Sequence, residues 1–174
     1  MKNTKLTLFV KYTAYALLLL ILYVLQTTPG LFVVFGVKPM LLVPAAIAIA
    51  MHDGEFTGGF YGALAGLLCD MNSHLLFGFN GLFVAFFCIA AGLLVVYLTY
   101  CNIGGMILFV FMAMLARGGV EYLFAYGMWG YEDVGKIFIF KMLPVIIYTT
   151  ATAPLFFYPI RWLHRRFEKA LMRE

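Results

Sequence analysis

The sequence predicts an all-α, polytopic membrane protein with six transmembrane helices, built as a single integral membrane domain over residues 1–174. Three observations predict it. The chain is 64% hydrophobic and 11% charged, with a mean hydropathy of +0.97, whereas a soluble domain carries about a quarter charged residues. The apolar residues gather into six runs near the length of roughly 20 residues that a bilayer-crossing helix needs. The basic residues sit at the two chain ends: Lys2, Lys5 and Lys11 precede the first run, and Arg161, Arg165, Arg166, Lys169 and Arg173 close or follow the last. Basic flanks mark the cytoplasmic side. Both termini are therefore expected on the cytoplasmic side of the membrane, and an even number of crossings is required.

The runs follow in order. Residues 8–25 are dense in Leu, Tyr and Ile and are stopped by Pro29 and Gly30. No small-residue cleavage site follows, so this span is expected to be retained. Residues 39–51, "PMLLVPAAIAIAM", form the shortest candidate, with Pro44 interrupting it. Residues 55–71 are a glycine-rich helix. The remaining spans are expected at 79–100, 103–126 and 137–163, the last with Pro144, Pro154 and Pro159 inside it or at its end. The inward loops "HDGE" and "CNIGG" are very short, and the longer outward ones contain "MNSHLLFG" and "YGMWGYEDVGK". The +4 charge is accounted for by this topology. No recognition motif accompanies it, so nucleic-acid binding is not expected. The basic tail from Arg161 reads either as a surface helix that docks anionic lipid or a partner, or as an ordinary positive anchor with Trp162 at the interface.

Three features carry candidate function. Gly54, Gly58, Gly62 and Gly66 repeat every four residues, and the next step of four lands on Asp70. In lipid, small residues let helix backbones approach closely, so this ridge predicts a packing surface, either for a neighbour in the same chain or for a partner's helix. Asp70 lies near the outer end of the span. It reads as a site for a partner, ion or ligand, or as an acid bonding the following turn. Arg117 and Glu121 stand four apart within the fifth span and share a helix face. Intramembrane ionisable residues are functional candidates by default, and the pair reads equally as a device that fixes helix packing. A proton pathway would draw further on Asp70, Lys141 and His74.

Catalytic chemistry has little to build on. His52, His74 and His164 are expected in separate loops or the tail, which gives no metal site. Cys69, Cys88 and Cys101 lack the spacing of a disulfide framework or zinc site and read as small apolar residues. No phosphate-binding loop is present. No enzyme activity, cofactor or metal is expected.

The stretch "KPMLLVPAAIAIAMHDGEFTGGFYGALAGLLCDMNSHLLFGFNGL" resembles the MreD family, small membrane proteins of bacterial rod-shape and wall-elongation systems. The resemblance rests on Pro39 and its apolar run, the polar break from His52 to Glu55, then Gly62, Gly66, Leu67, Asp70 and Gly78. The acid common in that family just after the proline is replaced here by Met40. The resemblance implies a non-enzymatic scaffold of the elongation machinery, working beside an MreC-like bitopic protein, the MreB filament and a RodA-type synthase with its transpeptidase. It also implies a fold similar to the substrate-binding components of energy-coupling-factor (ECF) transporters. The alternative function is such a vitamin-capturing component, with Trp129, Tyr131, Glu132 and Asp133 lining an outer pocket.

Overall fold

The computed structural model describes residues 2–28, 30, 37–72, 77–98, 102–125 and 142–171, and six helices lie within them. They are α1 (Lys2–Thr27), α2 (Leu42–Asp53), α3 (Glu55–Asp70), α4 (Phe79–Leu98), α5 (Ile103–Ala125) and α6 (Leu143–Leu171). Four of them, α1, α4, α5 and α6, are long and apolar enough to cross a membrane. Their exposed faces carry large apolar side chains such as Leu17, Ile21, Phe86, Leu94, Met112 and Leu155, which suit a lipid surround and not water. The chain is an all-helical membrane protein.

The shortest helix holds the centre. Residues Leu42 to Met51 of α2 are all buried, and α2 packs against each of the other five helices. Those five close a ring around it in the order α1, α3, α4, α5, α6 and back to α1. A helix apolar on every side is a buried helix. Surrounded by protein, α2 needs no match to the bilayer thickness, so its 12 residues, about 18 Å, suffice. Its alanines at 45, 46, 48 and 50 keep it thin enough for five neighbours.

Pro44 does not interrupt this helix, contrary to expectation. It is the third residue after the N-cap Leu41, where an N–H has no intrahelical acceptor to lose. Backbone amides at the entrance to α2 are satisfied by side chains. The Met40 amide donates to Thr149 Oγ1 at 3.0 Å and the Leu42 amide to Gln26 Oε1 at 3.3 Å. Non-helical backbone at membrane depth survives where protein supplies such partners.

The expected boundaries shift most at the last helix. It continues through Pro154 and Pro159 and carries the basic tail as one rod to Leu171; residues 137–141 lie outside the described set. Lys11 of α1 lies against His164 of α6, so the start of the first helix and the end of the last share one end of the bundle, here called the terminal end. Trp129, Tyr131, Glu132, Asp133, His74, Lys141 and Cys101 lie outside the described residues.

Candidate functional site

Gly54 does not belong to the ridge. It is the turn between α2 and α3, with φ +87 and open space where a Cβ would stand. Its left-handed backbone reverses the chain within one residue, which glycine does without steric cost. The other three glycines face into the molecule. A Cβ on Gly58 would stand 2.4 Å from Ala50 Cβ, on Gly62 2.8 Å from Cys88 Sγ, and on Gly66 2.4 Å from the Asn80 carbonyl oxygen. The ridge thus seats α4, with α2 behind it.

The matching surface on α4 is itself small: Gly81, Ala85, Cys88 and Gly92. A Cβ on Gly92 would meet Glu55 backbone atoms at 2.7 Å. This stripe was legible as "GLFVAFFCIAAG", with spacings of four, three and four, but glycine spacing on α3 alone did not reveal it. Cys69 and Cys88 are buried free thiols in this packing.

Asp70 ends α3 and caps α4. Its Oδ2 accepts from the Gly78 and Gly81 amides, both at 3.0 Å, and its Oδ1 from the Asn80 amide at 3.1 Å and Asn80 Nδ2 at 2.8 Å. These are the N–H groups a helix start leaves without partners, and a carboxylate there also meets the positive end of the helix dipole. The acid therefore bonds the beginning of the next helix, eight to eleven residues on.

Asn80, fully buried, joins the other candidate pair. Its Oδ1 accepts from Arg117 Nε, and Arg117 Nη2 lies 3.2 Å from Glu121 Oε2. Asp70, Asn80, Arg117 and Glu121 form one polar chain across α3, α4 and α5. Asn80 was missed by sequence reading; its signal is a lone amide in the first turn of an apolar helix.

Arg117→Ala is expected to cost about 3 kcal/mol, because it strips partners from both Asn80 and Glu121. Glu121→Ala leaves Arg117 its Asn80 bond. Glu121 is 28% exposed, so screening holds that loss to about 1 kcal/mol. A double-mutant cycle read by unfolding in detergent checks this; zero coupling would separate the two residues.

A second polar cluster sits at the terminal end, about 24 Å away along α3. Asp53 Oδ1 accepts from Lys11 Nζ at 2.6 Å and from His164 Nδ1 at 2.5 Å. His164 Nε2 lies 3.4 Å from Glu168 Oε1. The cluster ties α1, α2 and α6 together. His52 is not in a loop as expected but on α2, and its ring centroid lies 5.8 Å from that of His164 in the helical tail of α6. Among the described residues no group of three His, Cys, Asp or Glu side chains has the arrangement of a metal site.

Asp53→Ala is expected to destabilise by about 2 kcal/mol. A buried cation left without its acid costs more in a deep core, but Lys11 is long enough to extend toward the nearby aqueous boundary. Lys11→Met leaves Asp53 bonded to His164 and is expected to cost less. Unfolding midpoints of the two variants check the order, and a larger loss in Lys11→Met would contradict it.

Comparison with known protein families, with curated proteins and with solved structures gave no match.

Proposed function

We propose that this protein is a membrane scaffold of the MreD kind, acting through contacts within the bilayer and not through chemistry of its own. The observation that carries the reading is the engagement of its candidate functional residues. Asp70, Arg117 and Glu121 are joined through Asn80 into one bond chain between helices, and the Gly58, Gly62 and Gly66 ridge is filled by α4 and α2. These candidate residues hold the bundle together, and the wide apolar exterior of the ring is available to partners. The resemblance around Pro39 to Gly78 supplies the particular system: bacterial wall elongation, with an MreC-like bitopic protein as first partner and the MreB filament and RodA-type synthase with its transpeptidase beyond it.

On this reading the chain crosses the cytoplasmic membrane six times with both termini in the cytoplasm. The shared terminal end and its basic residues support that orientation. The short α2 counts as a crossing because its neighbours, not lipid, surround it.

The test is mild-detergent purification of the tagged chain, with mass spectrometry of what accompanies it. Recovery of a coiled-coil bitopic protein and wall synthases is the expected result. Recovery of an ATPase pair or a bound vitamin would overturn it in favour of an ECF-type transporter component.

A further inference from the structure

At the terminal end two adjoining grooves of different character lie side by side, one lined by described residues of α6 alone and the other lined by both α1 and α6. One, of ≈ 500 Å³, is lined by Trp162, Arg165, Arg166, Lys169 and Ala170. The other, of ≈ 560 Å³, is lined mainly by apolar residues, Leu6 and Val10 from α1 with Leu163 and Phe167 from α6 among them. The two share Trp162, Arg166 and Ala170, so a single molecule can occupy both. The Arg166 guanidinium lies over the Trp162 ring, 4.6 Å from its centroid, which orders the residues at the junction.

On α1 the exposed apolar side chains run from Val24 to Leu6, about 27 Å of helix. That length matches a hydrocarbon core of about 30 Å. On α6 the last exposed large apolar side chain toward this end is Trp162. Both stripes end at this double groove, since Leu6 and Trp162 line the same one. The hydrocarbon boundary falls there. Arg165, Arg166 and Lys169 then stand in the headgroup layer, while Leu6 and Val10 face the first part of an acyl chain. The one acid on α6, Glu168, is engaged with His164 and does not line the cationic groove.

We propose that the double groove is a binding site for one anionic phospholipid, its phosphate held by Arg165, Arg166 and Lys169 and its acyl chain lying along the α1–α6 groove. The ligand is specified by complementarity at both ends. Three cations, with no carboxylate among the described lining residues, select a negative headgroup, and the contiguous apolar groove selects a molecule that carries a chain as well. The proposal does not depend on the scaffold reading.

The full-length protein in mild detergent is titrated with phosphatidylglycerol or phosphatidylcholine and followed by native mass spectrometry. The expected result is stoichiometric retention of one phosphatidylglycerol and weak retention of phosphatidylcholine. Each surface cation near anionic lipid is worth roughly fivefold in affinity. The triple variant Arg165→Gln/Arg166→Gln/Lys169→Gln is therefore expected to bind phosphatidylglycerol on the order of a hundredfold more weakly. Lys38→Gln, exposed at the opposite end, is expected to bind as the parent does. Leu6→Gln should weaken phosphatidylglycerol several-fold, and inorganic phosphate should compete far less well than a short-chain phosphatidylglycerol. Equal retention of the two lipids overturns the proposal, as does undiminished binding by the triple variant. Displacement by inorganic phosphate as effective as by the short-chain lipid overturns the acyl-chain half and with it the lipid assignment. The substituted cations are exposed, so an unchanged unfolding midpoint in lipid-free detergent is expected and ties any loss to binding.

Discussion

Asp70→Ala is expected to lower stability by about 4 kcal/mol, one of the two largest single-residue losses in the molecule. Four donors lose their acceptor at once: the amides of Gly78, Asn80 and Gly81, and Asn80 Nδ2. A buried donor left without a partner costs about 1–3 kcal/mol, and the Gly78 amide, nearest the surface of the bundle, recovers part of its share from water. The loss spreads, because Asn80 also holds Arg117. With the cap gone, Asn80 is free to rotate, and among the described residues Arg117 depends on the half-buried Glu121. Asp70→Asn keeps one oxygen but turns amide hydrogens toward donors, so about 2 kcal/mol is expected. Loss of helical circular dichroism on heating in detergent measures both. A midpoint for Asp70→Ala equal to that of the parent would show that these bonds do not hold the start of α4.

Gly66→Leu is expected to abolish the folded state. Even a single added carbon at Gly66 would lie 2.4 Å from the Asn80 carbonyl oxygen and 2.6 Å from Gly81 Cα. Both are backbone, so no rotamer change relieves the overlap, and α4 must move off α3. That movement carries Asn80 and Gly81 away from Asp70, so the packing loss and the cap loss arrive together. Overpacking of a core usually costs about 1–3 kcal/mol; Gly66→Ala is placed at the top of that range and Gly66→Leu beyond it. Gly59 gives a graded comparison, because its Cβ would meet the Ile89 side chain at 2.8 Å, and Ile89 can shift toward lipid. Gly119 is the control. It has open space around it, and Gly119→Ala is expected to be neutral or to stabilise by less than about 1 kcal/mol through helix propensity. Unfolding midpoints should fall in the order Gly119→Ala, Gly59→Ala, Gly66→Ala. A Gly66→Ala variant as stable as Gly119→Ala would contradict the close approach.

These two residues show where sequence reading stops. The spacing of glycines at 58, 62 and 66 announced a surface of close approach, since no other role suits bare backbone along one helical ridge. It could not say against what. That required the α4 stripe of Gly81, Ala85, Cys88 and Gly92 to be brought opposite, which is a matter of crossing geometry between two helices. Gly54 shared the spacing but not the role: a periodicity cannot distinguish the last residue of a turn from the first of a helix, and φ +87 decides it. Asp70 was visible as an acid in an apolar setting, while its four donors lie beyond the following loop, and only the antiparallel return of α4 brings them within reach.

By itself, the sequence determined what depends on composition and local period. It set the helical class, through long apolar runs that must satisfy their backbone internally in lipid. It set the membrane character, through the scarcity of charge. It set the Arg117–Glu121 adjacency, through the four-residue repeat of a helix. The tertiary structure decided what depends on which helices meet. It made the shortest apolar run the central helix, because burial by five neighbours removes the length requirement that lipid imposes. It joined Asp70 to Arg117 through Asn80, and Lys11 to Asp53 and His164, residues far apart in the chain. It laid the first turns of α1 beside the last of α6, where an apolar groove adjoins a cationic one. Such pairings are long-range, and a hydrophobic pattern that reads the same for any helix order does not encode them locally.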